Sequence, residues 1–125
     1  MPHERQRFGR RSEDLAARHL ADKGYRIVES NYKNRFGEID IVAMDGETIV
    51  FVEVKSRRSG RFGSARASVS RAKQRKISMV ALAYLKEKGG TGKKARFDVV
   101  AIHSHAAGPE GSVDVIKNAF ALAYG

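Results

Sequence analysis

The chain has no cysteine, which excludes a disulfide framework and any thiolate metal site. No apolar run is long enough to cross a bilayer, and the charged N-terminus lacks the apolar core of a signal peptide. A cytoplasmic protein without a membrane role is therefore expected. A long basic amphipathic helix carrying bulky apolar residues is also missing, which argues against the membrane surface. There are no internal repeats. Acid is scarce: 14 Asp and Glu stand against 24 Lys and Arg, a formal charge of +10 on 125 residues. That length gives one domain with a core of its own. The basic excess points to a polyanion partner, a nucleic acid, with DNA the expected one. A charge kept for solubility, or for a ribosome-like basic surface, is the plainer explanation.

The acids that do occur concentrate in one stretch, Gly37-Glu38-Ile39-Asp40-Ile41-Val42-Ala43-Met44-Asp45-Gly46-Glu47-Thr48-Ile49-Val50-Phe51-Val52-Glu53-Val54-Lys55. Asp-Gly between two apolar runs is a strong hairpin signal. A two-residue loop at Asp45 and Gly46 sets Met44 opposite Glu47, Val42 opposite Ile49, Asp40 opposite Phe51 and Glu38 opposite Glu53. Side chains alternate along a strand and match across a pair. Glu38, Asp40, Glu53 and Lys55 then share one face, and Ile39, Ile41, Val50, Val52 and Val54 the other. Any even loop length keeps that grouping, whereas a one-residue slip destroys it.

Neighbouring carboxylates on paired strands repel, by a few tenths to about 1 kcal/mol, and more when desolvated. A divalent cation resolves the conflict, and Mg²⁺ needs only one or two carboxylates beside its waters. Lys55 adds a fixed positive charge that can steady a phosphate in transit or an attacking water. Glu-x-Lys on an exposed strand is usually just solvated. Here both strands are too apolar for a wet edge, and the acids converge across the turn.

Along the chain, residues 1–8 read as a basic tail and 9–125 as a single domain. A helix is predicted from about Arg10 to Lys23, stopped by Gly24. It places Glu13 on one face with Ala16, Ala17 and Leu20, either as an acid near the sheet or as a first-turn partner of the helix dipole. A strand over Tyr25–Asn31, the hairpin, and an Arg/Gly/Ser-rich loop over Ser56–Ser68 follow. Arg57, Arg58 and Arg61 in that loop are candidates for phosphate contact or ordinary solvated residues. A second helix over Ser70–Lys88 carries Gln74, Ile77, Ala81 and Leu85 on one face. Gln74 either lines the site or sits at the helix edge. Arg71, Lys73, Arg75 and Lys76 make its first half basic, against the helix dipole, which suggests a purpose other than helix stability. Strands over Arg96–His103 and Val113–Ile116, and a terminal helical turn over Asn118–Tyr124, complete the chain. His19 reads as structural, and His103 and His105 as surface residues. One helix before the hairpin and one after it can cover both sheet faces.

Gly9 through Leu20, Asn31-Tyr32, Gly-Glu-Ile-Asp at 37–40, Phe-Val-Glu-Val-Lys at 51–55 with Arg57, Phe62-Gly63, Lys73-Gln74, Arg96-Phe97-Asp98-Val99 and Asn118-Ala119-Phe120 resemble the YraN-like family. These are small bacterial proteins assigned to the restriction-endonuclease-like, PD-(D/E)xK nuclease superfamily. The likeness spans nearly the whole chain. It implies an α/β fold with a central mixed β-sheet, an αβββαβ core and helices on both faces, similar to archaeal Holliday-junction resolvases, which act as dimers.

It further implies that Asp40 and Glu53 bind Mg²⁺ or Mn²⁺, that Lys55 is the catalytic lysine, and that Glu13 is an auxiliary acid near the metal. Gln74 would be the polar second-helix residue that related nucleases often have. Ile39 stands where the superfamily nominally has Pro, and Ser12 where the family often has Gly. The expectation is a metal-dependent endonuclease acting on nucleic-acid phosphodiesters, including branched or structured DNA. The carbonyl of Val54 would be a third ligand, and Arg57, Arg58, Arg61, Arg71, Lys73 and Arg75 would bind flanking phosphates. One site cuts one strand, so junction resolution would need a homodimer. The alternative is a non-catalytic nucleic-acid-binding module that keeps the fold. A structural role in a larger assembly, with the charge serving RNA contact, is the third reading.

Overall fold

The computed structural model describes residues 3–57, 69–90, 93–103 and 112–120, with side chains described over 12–56, 69–90, 93–102 and 113–120. The elements run α1 (His3–Asp22), β1 (Arg26–Asn34), β2 (Gly37–Asp45), β3 (Thr48–Arg57), α2 (Arg71–Glu87), β4 (Ala95–His103) and β5 (Ser112–Phe120). The strands lie in one sheet in chain order. β1, β2 and β3 form an antiparallel meander, β3 and β4 pair in parallel, and β5 returns antiparallel to β4. A parallel step needs a crossover, and α2 supplies it. The predicted αβββαβ order therefore holds, in a mixed five-stranded sheet consistent with a restriction-endonuclease-like core.

β3 is apolar throughout its middle because both of its faces are covered. Val50 and Val52 point into a cluster with Ala16 and Leu20 of α1. Ile49 and Phe51 point into a cluster with Ile77, Val80, Ala81, Tyr84 and Leu85 of α2. The second cluster is largely aromatic at its centre. The Phe51 ring lies 5.6 Å from both Tyr84 and Phe97, and Phe97 stacks on Phe120 at 4.8 Å. Each such ring contributes about 1.5–3 kcal/mol through burial, so Phe51→Ala would cost about 3–5 kcal/mol.

The helix ends follow local chemistry. After α1, Gly24 adopts φ +97. The Tyr25 N–H donates to the Leu20 carbonyl and the Gly24 N–H to the Ala21 carbonyl, both at 3.0 Å, the pairing of a Schellman stop. At the start of α2, the Ser70 hydroxyl accepts the Lys73 N–H at 3.1 Å.

Three expectations are corrected. α1 begins at His3 rather than Arg10. Glu4, Arg5, Gln6 and Arg7 are good helix formers, and apolar periodicity gave no sign of them. The hairpin loop is Gly46-Glu47 rather than Asp45-Gly46, because Asp45 pairs with Thr48 and Met44 with Ile49. Gly46 has φ +62 while Glu47 is not among the positive-φ residues, which matches a type II′ turn with Gly first. This register holds Asp45 within 2.8 Å of Arg96. Finally, β5 continues to Phe120 where a helical turn from Asn118 was expected. Pairing of Phe120 with Phe97 outweighs the helix propensity of the alanines. Residues 121–124 of that predicted turn, like 58–68 of the predicted loop, lie outside the described residues.

Candidate functional site

The corrected register improves the convergence of the acids. With Ile41 opposite Val52, the next residues along the two strands are Asp40 and Glu53. Beyond this point β2 leaves β3 and runs on beside β1 as far as Gly37. At the fork the Val54 N–H donates to Asp40 Oδ2 at 2.8 Å, so a carboxylate takes the place of a backbone acceptor. Strand alternation also breaks here. Ile41 belongs to the α1-side cluster and Ile39 to the α2-side cluster, so the two do not share a face as predicted. Asn31, across β1 from Asp40, has φ +55. Glu38 is carried out to solvent, where it lies 3.9 Å from Lys33. It therefore leaves the face it was expected to share with Asp40, Glu53 and Lys55.

Glu53 is buried, its side chain 9% exposed, and it has two cationic neighbours. Lys55 Nζ lies 3.5 Å and Lys73 Nζ 3.4 Å from the same oxygen, Oε2. Asp40 is half-buried, and its pKa is pushed up to about 7, first by burial and then by the charge of Glu53. The bond from Val54 opposes that rise, while a hydrogen bond with Glu53 and the charge of Glu13 add to it. Two carboxyls brought this close in a part-buried setting are suited to share a cation.

Glu13 thus sits within electrostatic reach of Asp40, and Ala16 and Leu20 bury the same stripe of α1. Ser12, buried on α1, accepts a 2.7 Å hydrogen bond from Ser56 on β3. Ser12 therefore ties α1 to the strand carrying Glu53 and Lys55. Gln74 donates from Nε2 to the Val69 carbonyl at 2.9 Å, bracing the first turn of α2. Arg57 is in β3 by backbone only; its side chain and all of Arg58 and Arg61 lie outside the described residues, as do the side chains of His103 and His105. On α2, Lys73 reaches Glu53, but Arg75 lines a groove with Phe36, Ala72, Lys76 and Met79. Sequence reasoning grouped Lys73 with the phosphate-binding basics and missed its contact with Glu53. No local signal reveals that contact, since it depends on where the crossover helix starts.

A second polar cluster was also missed. Asp98 is fully buried. It accepts from the Tyr25 hydroxyl and Arg96 Nε at 2.9 Å, from Arg96 Nη2 at 3.0 Å, and from the Asn118 N–H at 2.9 Å. Arg96 Nη2 also reaches Asp45 at 2.8 Å. These neighbours act in the expected directions: Arg96 holds Asp45 below the usual carboxylate range, and burial followed by Asp98 pushes Tyr25 up to about 12. The cluster is a structural tie between β2, β4, β5 and the end of α1. The signal for it was an aspartate at the centre of an otherwise apolar strand. Another groove, of about 540 Å³, lies along the outer side of α2 between Phe36 and Leu82 and includes none of Asp40, Glu53 and Lys55.

The family model described as Uncharacterised protein family UPF0102 matches residues 12–102. The chain belongs to this family. It is 52% identical over 120 residues to a UPF0102 protein of Syntrophus aciditrophicus, covering 95% of this chain and 92% of that one. A UPF0102 protein of Desulfosudis oleivorans is 49% identical over 120 residues, covering 96% and 94%. One from Geobacter sulfurreducens is 48% identical over 123 residues, covering 98% and 94%. The matched span contains the fork, both lysines, and Tyr25, Asp45, Arg96 and Asp98 of the second cluster. Among the described residues no helix is long and apolar enough to cross a membrane.

Proposed function

We propose that this UPF0102 protein is a nuclease that hydrolyses nucleic-acid phosphodiesters with a Mg²⁺ or Mn²⁺ ion held by Asp40 and Glu53. The observation that carries the reading is the fork itself, where two carboxylates from paired strands meet beside a lysine. Among the described residues no three His, Cys, Asp or Glu gather as a metal-holding group. The donor set still fits Mg²⁺, which takes one or two carboxylates and keeps its waters. The oxygen ligands would be Asp40, Glu53 and the carbonyl of Val54.

Bound there, the ion would polarise the scissile phosphate and lower the pKa of a water. Asp40 is held for this task by the Val54 N–H. Lys55, on the same face as Glu53, is the group that steadies the attacking water or the charge on the phosphate. Glu13 contributes negative potential from α1, and Gln74 keeps the first turn of α2 in place. The +10 charge draws the polyanion, and Arg57, Arg58, Arg61 and Arg71 are the residues proposed to hold flanking phosphates.

The rival is a binding module without turnover. It is favoured by the absence of a three-acid group among the described residues and by the two lysines that already neutralise Glu53. The deciding experiment titrates Mg²⁺ and Mn²⁺ into wild type and Glu53→Ala with labelled duplex, flap, four-way junction, single-stranded DNA and RNA. Cleavage by wild type alone supports the nuclease and identifies its substrate. Binding without cleavage, with either metal and every substrate, supports the module.

A further inference from the structure

We infer that Lys73 is a displaceable counter-ion of Glu53, and that its transfer from Glu53 to a nucleic-acid phosphate couples divalent-cation binding to polyanion binding. This rests on the reading of Asp40 and Glu53 as the cation's ligands. Two ammonium groups meet one carboxylate oxygen, at 3.5 Å from Lys55 and 3.4 Å from Lys73. Both separations exceed the 2.7–2.9 Å of a tight charge-assisted hydrogen bond, so neither lysine is locked.

The two lysines differ in freedom. Lys55 stands two residues from Glu53 on the same strand and is 30% exposed, whereas Lys73 comes from α2 and is 47% exposed. A divalent ion on Glu53 repels both, and Lys73 has the open path to solvent. Its flexible four-carbon stem lets the tip swing while the backbone stays fixed. The Lys73 N–H remains on the Ser70 hydroxyl, and Gln74 remains on the Val69 carbonyl. The first turn of α2 contains no acid to recapture the released ammonium. A phosphate lying over the fork is then its natural partner. By linkage, cation binding strengthens polyanion binding and the reverse holds by the same factor.

The test compares wild type, Lys73→Met and Lys76→Met. Lys76 lies on the same helix but lines the groove beside Phe36 and Met79, so it controls for net charge alone. Calorimetric titration of Mn²⁺ without nucleic acid should show about three- to fivefold tighter binding by Lys73→Met, and less than about twofold change for Lys76→Met. Fluorescence anisotropy of a labelled four-way junction, with Ca²⁺ or with chelator, should show affinity gained on adding Ca²⁺ for wild type and Lys76→Met. That gain should be largely absent from Lys73→Met. Equal changes in both variants, or weaker Mn²⁺ binding by Lys73→Met, would overturn the inference and leave the nuclease reading standing. Failure of all three proteins to bind Mn²⁺ would overturn the nuclease reading, and this inference with it.

Discussion

Asp40 accepts the Val54 N–H at 2.8 Å, so the side chain of one strand occupies the place where the backbone of that strand would have continued the ladder. The bond fixes the carboxylate at the fork and leaves its second oxygen for other work. It also sets up a conflict, because Glu53 is the adjacent position on the partner strand and both groups are removed from water.

The conflict predicts a pH dependence of stability in the metal-free protein. The Asp40 pKa rises from 3.8 to about 7 in the fold, so the folded state holds a proton that the unfolded state has released. The group's contribution is most favourable below its unfolded value and is lost as pH rises through the folded value. Wild type measured against Asp40→Asn, by urea unfolding in chelator, should lose stability progressively between about pH 4 and pH 8, by up to about 4 kcal/mol. The loss should level off above about pH 8. A difference independent of pH would mean that Asp40 is already ionised throughout.

Lys55 and Glu53 should separate in their effects. Glu53→Gln removes a proposed cation ligand, so both Mn²⁺ binding and cleavage should fall. Lys55→Met leaves the carboxylates in place. It should retain Mn²⁺ binding while single-turnover cleavage drops by about 10²–10³-fold, the usual cost of removing one electrostatic stabiliser of a transition state. Unchanged cleavage in Lys55→Met would remove the lysine from the mechanism.

The Asp98 cluster should govern stability alone. Asp98→Ala leaves the mostly buried Arg96 guanidinium with Asp45 as its carboxylate partner, and breaking a buried pair costs up to about 3–5 kcal/mol. Tyr25→Phe removes one hydroxyl and should cost about 1–3 kcal/mol. Asp45, at the cluster's edge, is five residues along β2 from Asp40, about 17 Å of strand. Mn²⁺ affinity of the folded fraction should therefore stay at the wild-type value. A matched loss of Mn²⁺ affinity in Tyr25→Phe would show that the cluster shapes the fork.

What could be read in advance divides by range. β3 declared itself because apolar residues on both faces require cover from both sides. The even parity of the turn placed Asp40, Glu53 and Lys55 together even though the loop was set one residue early. Asp-Gly and Gly-Glu are both plausible two-residue loops, and the choice was made by Arg96, 51 positions away, gripping Asp45. The same limit hid Lys73. Its helix was predicted to within a residue at each end, but the contact with Glu53 depends on how a crossover helix lies over the sheet. Ile39 was misassigned because alternation assumes an unbroken ladder, and the ladder to β3 ends with Ile41 opposite Val52, two residues short of it.

The basic residues of α2 should likewise divide by face. Positions 73 and 75 are two residues apart, about 200° around a helix. They point in different directions, Lys73 toward Glu53 and Arg75 into the groove beside Phe36 and Met79. A residue that neutralises a phosphate contributes about −0.9 to the slope of log affinity against log salt on duplex DNA. With Ca²⁺ present, Lys73→Met should make that slope shallower by about 0.9, because the ammonium is then free to meet a phosphate. In chelator the same variant should change it little, since Glu53 holds the ammonium. Arg75→Met should leave the slope unaltered under both conditions. A loss of slope in Arg75→Met as large as in Lys73→Met would mean that nucleic acid wraps the outer face of α2, and would move the interface from the fork to the groove.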